Sequence, residues 1–327
     1  MNGVVRSPAY ETGSVTSRDG TIIGYRQLGR GPGVIAVHGG MQAAQNLMKL
    51  AGALADSFTV YLPDRRGRGR SGPPGSHYSL TAECQDIDAL ARATGARNIF
   101  GLSSGAIIAL QAALVLPAIG KAALYEPPLS VNGSTPTGWV ARYDREVAQG
   151  KLASAAITAA RGTQTAPPAL RFVPRFAVEL PLNAALRRGG ARPGGRGSTE
   201  GRSPARRAAL RLLLWPLRKA AQHGQTPAGA ASRDDVPLQA LVPAMHYDAQ
   251  LVLQTEGTLH TFASTPAAVL LLGGSKSPAY LKTSLDALAS VLPRAQRAEL
   301  AGCSHLAPDN SGDPERVARE LRSFYAN

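Results

Sequence analysis

The sequence predicts an α/β fold in which a mostly parallel sheet is covered by helices on both faces. Three observations carry that expectation. Between residues 15 and 135, short β-branched or apolar runs each end in glycine-rich or polar punctuation and give way to a helical stretch, which is βα alternation. The alternation resumes between residues 263 and 327, after a middle region of different character. The strand-like runs are apolar almost throughout, as expected where both faces of a sheet are buried.

Taken in order, strands are expected at 21–29 (TIIGYRQLG), 33–40 (GVIAVHGG), 58–64 (FTVYLPD), 98–103 (NIFGLS) and 121–128 (KAALYEPP), with helices near 42–55, 80–94 and 105–116. After the middle region come a strand at 267–274 (AAVLLLGG), a helix near 279–291, a strand at 296–302 (QRAELAG) and a last helix near 313–325. Residues 136–262 lack strand signals. They hold amphipathic helical stretches interrupted by a glycine- and arginine-rich loop at about 187–207, and both ends of the region rejoin the α/β frame. The organisation expected is therefore a first core part (1–135), an inserted helical lid (136–262) and a second core part (263–327).

With 327 residues and 44% hydrophobic content, the chain can bury a full core. The formal charge of +14 is unevenly spread: residues 161–235 hold fourteen Arg and Lys against four acids, so ten of the fourteen net charges fall there. In 206–222 (RRAALRLLLWPLRKAAQ) the basic residues flank a leucine-rich face bearing Trp215. That pattern suits a helix covering an apolar substrate pocket, with Trp215 against substrate, or a helix in weak contact with an anionic membrane surface. Nucleic acid is not expected as a partner, because the charges lack interleaved aromatics. No apolar run is long enough to span a bilayer and the N-terminus lacks a secretory pattern, so a soluble, cytoplasmic protein is expected. Two cysteines, Cys84 and Cys303, are too few for a disulfide framework and lack metal-ligand spacing, though a single bridge stays open.

The chemistry concentrates at one join. In GLSSG the spacing Gly101-x-Ser103-x-Gly105 fits a strand-to-helix turn so sharp that side chains at the flanking positions would collide, which leaves Ser103 exposed at the tip. The backbone N–H of Ser104 would then point at a developing oxyanion near a helix N-terminus. Three more segments follow family order: VHGGM (37–41), DRRGRGRSG (64–72) and LAGCSHLAP (300–308). With them the chain resembles the α/β-hydrolase family, across roughly the whole frame outside the insertion.

That resemblance implies a three-layer α/β-hydrolase sandwich with an eight-stranded, mostly parallel sheet and an inserted lid. It implies Ser103 as nucleophile and His305 as its base. It also implies an oxyanion hole from backbone N–H groups of Ser104 and of Gly40 or Met41, with His38 and Gly39 beside the substrate. The other histidines, His77, His223, His246 and His260, lie outside the terminal loop. Asp64 and the residues from Arg65 to Ser71 are expected to hold their loop in shape.

The third triad member departs from the family pattern. After AAVLLLGG the chain continues SKSP and puts Ser277 where the carboxylate is usual. Without a carboxylate an imidazole loses orientation and support for its cationic form. Glu126, at the end of the preceding strand and followed by two prolines, is the first candidate for the acid; Asp248 in MHYDAQLV is the second. Asp309 is too close in sequence to His305 and is read as a lid or loop contact. The expected function is hydrolysis of an ester or related acyl bond of a small, apolar substrate, with no metal or organic cofactor. The alternatives on this fold are a C–C bond hydrolase, a cofactor-free haloperoxidase, a peptidase or a non-catalytic small-ligand binding protein. A serine at the elbow argues against dehalogenase and epoxide-hydrolase chemistry, where the family attacks with a carboxylate.

Overall fold

Eight short segments pair into one sheet, and the apolar residues of its inner strands find cover on both sides. The computed structural model describes residues 9–166, 173–189 and 234–326. The strands are β1 (Glu11–Thr16), β2 (Ile22–Gly29), β3 (Gly33–Val37), β4 (Thr59–Pro63), β5 (Asn98–Leu102), β6 (Lys121–Tyr125), β7 (Ala268–Gly274) and β8 (Ala295–Leu300), in the spatial order β1-β2-β4-β3-β5-β6-β7-β8. The pairs β1–β2 and β2–β4 are antiparallel and all others are parallel. Seven of these strands fall within a few residues of their expected positions. The polar edge strand β1 (ETGSVT) carries no apolar alternation and was not among them.

Helices α1 (Met48–Leu54), α2 (Leu80–Thr94) and α3 (Ser104–Val115) follow β3, β4 and β5. Between β6 and β7 lie α4 (Val140–Ala148), α5 (Leu152–Gly162), α6 (Arg175–Gly189), the one-turn α7 (Leu238–Leu241) and α8 (Met245–Gln254); α9 (Ala279–Val291) and α10 (Pro314–Ala326) follow β7 and β8. The Gly/Arg-rich loop and Trp215 lie outside the described residues, apart from the first part of the loop, which ends α6. Helix α2 starts at Ser79, whose hydroxyl accepts from the N–H of Ala82, and ends at Gly95 with φ +70°.

Two apolar layers sandwich the sheet. On one face Ile35, Val37, Ile99 and Leu271 pack against α2, α3 and α9; on the other Val34, Val60, Phe100 and Leu272 pack against α1 and α10. Helix α3 is apolar around most of its circumference because it lies between the sheet and α8, with nine of its twelve residues buried.

The strand order positions the site. From β3 the chain crosses to β4 on one side, and from there to β5 on the other, so the connections diverge at the carboxyl ends of β3 and β5. A crevice opens where such connections part, and ligands bind there in open α/β sheets.

Candidate active site

Four loops leave the carboxyl ends of neighbouring strands and meet at that crevice. The first is the turn from β5 into α3. Ser103 adopts φ +56° and ψ −123°, a conformation that side chains rarely take. It is held because Gly101 and Gly105 have no side chains: a Cβ on Gly101 would lie 2.3 Å from the Gly105 carbonyl oxygen, and one on Gly105 would lie 2.5 Å from the carbonyl oxygens of both Val37 and His38. The N–H of Ser103 donates to the carbonyl of Tyr125 at 2.9 Å, tying the turn to the end of β6. Ser103 is half-buried at the tip and faces a cavity.

The second loop follows β3. Gly39 approaches so closely that a Cβ there would sit 3.1 Å from both the Leu102 carbonyl oxygen and the Ser103 Cβ, and Met41 takes φ +51°. The Gln42 side chain clamps the loop: its Oε1 accepts from the N–H of Gly39 at 2.9 Å, while its Nε2 donates to Asp309 Oδ2 at 2.9 Å. Among the described residues, none accepts from the backbone N–H groups of Gly40, Met41 or Ser104. All three residues line the same cavity as Ser103.

Glu126 and His305 meet on the third and fourth loops. Glu126 comes directly after β6 at φ +50°, is fully buried, and its Oε2 lies 2.6 Å from His305 Nδ1. Its Oε1 accepts from the N–H of Gly274 at 2.6 Å, so both carboxylate oxygens are fixed. Ser284 on α9 donates its hydroxyl to the Pro127 carbonyl at 2.6 Å and anchors the two prolines. The Tyr125 hydroxyl donates to the Ser304 carbonyl at 2.8 Å, which brings the histidine loop down onto the acid, and burial with the Glu126 charge beside it pushes that phenol well above its usual range. Serine and histidine line the same cavity.

The remaining sequence candidates go elsewhere. Asp248, the second choice for the acid, is spent on other partners: Oδ1 takes Arg65 Nη1 at 2.6 Å and the Ser104 hydroxyl at 2.8 Å, and Oδ2 takes Arg68 Nη2 at 2.6 Å. Burial opposes its ionisation, but the two guanidinium groups outweigh burial and hold its carboxyl well below the usual carboxylate range. His38, expected beside the substrate, is not among the residues that line the cavity. It is fully buried, with Nδ1 3.0 Å from the Gly39 carbonyl and Nε2 accepting from the N–H of Arg65 at 3.3 Å, and burial with Arg68 and Arg65 nearby keeps it neutral. Its role is to pin the loop after β3. Gly39 does line the cavity.

Asp64 holds its own loop, accepting from the N–H groups of Ala44 at 2.9 Å and Arg70 at 3.0 Å. Asp309 ties loops together: beside Gln42, its Oδ2 accepts from Asn46 Nδ2 at 3.1 Å, and its Oδ1 takes the Ser311 N–H and hydroxyl. Ser277 puts a buried hydroxyl with no partner among the described residues at the cavity wall, where the sequence pattern led us to look for a carboxylate. Sequence reasoning missed Gln42 and the Arg65–Arg68–Asp248–Ser104 cluster. The only hint was that four arginines, Arg65, Arg66, Arg68 and Arg70, crowd the seven residues 64–70.

The cavity measures about 1120 Å³. Its far wall is largely apolar and comes from the helices between β6 and β7, including Trp139, Val140, Ile157, Val178 and Leu182. Among the described residues, no group of three or more His, Cys, Asp or Glu side chains is arranged to hold a metal, and no helix is long and apolar enough to cross a membrane. Both cysteines are buried free thiols.

Residues 34–320 match a family model described as the Alpha/beta hydrolase family. Among curated proteins the chain is similar to an uncharacterized hydrolase, YraK, of Bacillus subtilis (strain 168), at 38% identity over 95 residues. That match covers 28% of this chain and only 35% of that protein. Among solved structures it is similar to an alpha/beta hydrolase from Sphaerobacter thermophilus DSM 20745, with a TM-score of 0.65 at 25% identity over 96% of this chain and 100% of that one. A thermophilic esterase from Thermogutta terrifontis superposes with a TM-score of 0.60 at 18% identity, over 97% and 98% of the two chains, a likeness of fold alone.

Proposed function

Because the chain belongs to the alpha/beta hydrolase family, we propose that it cleaves an ester or related acyl bond of a small, largely apolar substrate through an acyl intermediate on Ser103. One observation carries the proposal: the Glu126–His305 pair, at 2.6 Å, opens onto the same cavity as a serine held at φ +56°.

In this reading His305 donates Nδ1–H to Glu126, which leaves Nε2 to accept the Ser103 proton as Oγ attacks the substrate carbonyl carbon. The carbonyl oxygen becomes an oxyanion and takes hydrogen bonds from the N–H groups of Ser104 and of Gly40 or Met41, donors with no competing acceptor among the described residues. The intermediate collapses, the carbon–oxygen bond to the leaving group breaks, and His305 gives that oxygen its proton. Water, deprotonated by the same nitrogen, then attacks the acyl carbon; Ser103 regains a proton and a carboxylic acid leaves. The helices between β6 and β7 act as the lid, and their apolar wall selects the acyl group.

A fluorophosphonate probe tests the reading. Ser103-dependent labelling of the folded chain, together with turnover of p-nitrophenyl esters that Ser103→Ala abolishes, is the expected result. Turnover retained by Ser103→Ala overturns it.

A further inference from the structure

We propose that Asp248, on a helix of the segment between β6 and β7, is a positioning residue that holds the two halves of the oxyanion hole in register through the Ser104 hydroxyl. The proposal rests on the hydrolytic reading above and adds a residue which that chemistry alone does not require.

The oxyanion donors come from separate loops, and a small shift between them weakens a pair of hydrogen bonds that must converge on one atom. Asp248 touches both loops. Its Oδ1 accepts the Ser104 hydroxyl at 2.8 Å, and its Oδ2 would lie 3.3 Å from a Cβ on Gly40. Met245, one turn earlier on α8, closes on the same glycine, 2.7 Å from that Cβ position through its sulfur. Gly40 therefore packs under α8, and the hydroxyl of Ser104 is tied to α8 while its N–H has no acceptor among the described residues.

A bare carboxylate so near a developing oxyanion would oppose it. Here one guanidinium sits on each oxygen, Arg65 and Arg68 at 2.6 Å each, and Arg65 is itself paired with Glu83 at 2.8 Å. The charge of Asp248 is compensated where it stands, so the carboxylate fixes geometry without repelling the transition state. Arg65 Nη1 also donates to the Ser104 hydroxyl at 3.2 Å, which leaves that oxygen one rotamer that satisfies both partners. The cluster is buried, so water does not compete for these bonds.

Ser104→Ala breaks the tie, keeps the backbone N–H and leaves all the ion pairs in place. A donor retained but released should cost less than a donor deleted, so kcat is expected to fall about tenfold with KM unchanged and the melting temperature within a few degrees. The rate of fluorophosphonate labelling should fall in parallel, because that reaction builds charge on the same oxygen. Asp248→Asn completes a cycle: if Asp248 acts through Ser104, the double variant is no slower than the slower single one. Since removing that charge strands Arg68, whose Nε and Nη1 already lack partners among the described residues, folding of Asp248→Asn is checked by melting, and Ser104→Ala decides alone if it does not fold. An unchanged kcat and labelling rate in Ser104→Ala, a rise in KM in place of the fall in kcat, or additive losses in the cycle each overturn the proposal. Failure of the hydrolytic reading looks different, since it would leave the unmodified chain without Ser103-dependent labelling.

Discussion

Met41, Ser103 and Glu126 are three of the five non-glycine residues with positive φ among the described residues, and all three stand at the crevice. Each such conformation costs on the order of 1–3 kcal/mol and persists only where the surroundings over-determine it. For Glu126 the surroundings are visible: an N–H from Gly274, the imidazole of His305 and two anchored prolines. Replacing Glu126 with Gln should leave the loop in place and lower kcat by about three to four orders of magnitude, as loss of a triad acid does. Steady-state turnover of a p-nitrophenyl ester checks this, and a rate within a few-fold of the unmodified chain would remove Glu126 from the chemistry. At this scale the sequence went far. The glycine spacing exposed Ser103, the position of SHLAP singled out His305, and the uncharged SKSP turn sent the search for an acid back to Glu126. It ranked Glu126 ahead of Asp248 but could not exclude the second, since only packing shows that Asp248 is held by Arg65 and Arg68. Nor could it show that His38 is buried away from the cavity wall, because burial at a loop's inner side leaves no local signal.

Elements were legible where one rule dominates. The strands β3 to β7 are buried on both faces and read as plain apolar runs, and α2 and α9 begin and end at the residues the sequence marks. The edge strand β1 escaped because its partner is on one side only and its side chains are mostly exposed, so polar residues serve it. The helices between β6 and β7 were expected without bounds, as their amphipathic stretches lack strong caps; none of α4, α5 and α8 has a side-chain N-cap bond. Gly105→Ala would drive a methyl group to within 2.5 Å of two backbone carbonyl oxygens, neither of which can move without displacing β3. Overpacking of that kind costs about 1–3 kcal/mol or more, so the urea midpoint should drop and activity with it. A variant with unaltered midpoint and activity would show that the turn is looser than its geometry implies.

Across the whole molecule, ion pairs of buried arginines join parts that the sheet alone would leave independent. Arg66, after β4, reaches Asp86 on α2 at 2.6 Å and Asp19, in the turn between β1 and β2, at 2.8 Å, so the edge hairpin is fastened to the centre. The hydrogen bond from Arg66, helped by the N–H of Thr21, holds the Asp19 carboxyl well below the usual carboxylate range. A folded pKa below the unfolded one means stability that is full above the unfolded value and lost as pH falls through the folded one. Asp19 is 42% exposed, so screening keeps the pair near the surface range. Asp19→Asn should cost about 0.5–1 kcal/mol at neutral pH, and the difference should shrink steadily below about pH 4. Denaturation of both chains at several pH values measures it; a gap that stays constant into acid would assign the effect to something other than charge. The sequence by itself determined the alternation of strands and helices, the sharp serine turn and the short list of chemical groups, because those depend on residue size, backbone freedom and period along the chain. Only the tertiary structure decided which acid meets the histidine and which carboxylate is neutralised by arginines, because these turn on distances between segments more than a hundred residues apart, and no local pattern encodes them; it also decided that His38 is walled in, because burial depends on what packs over the loop from outside it.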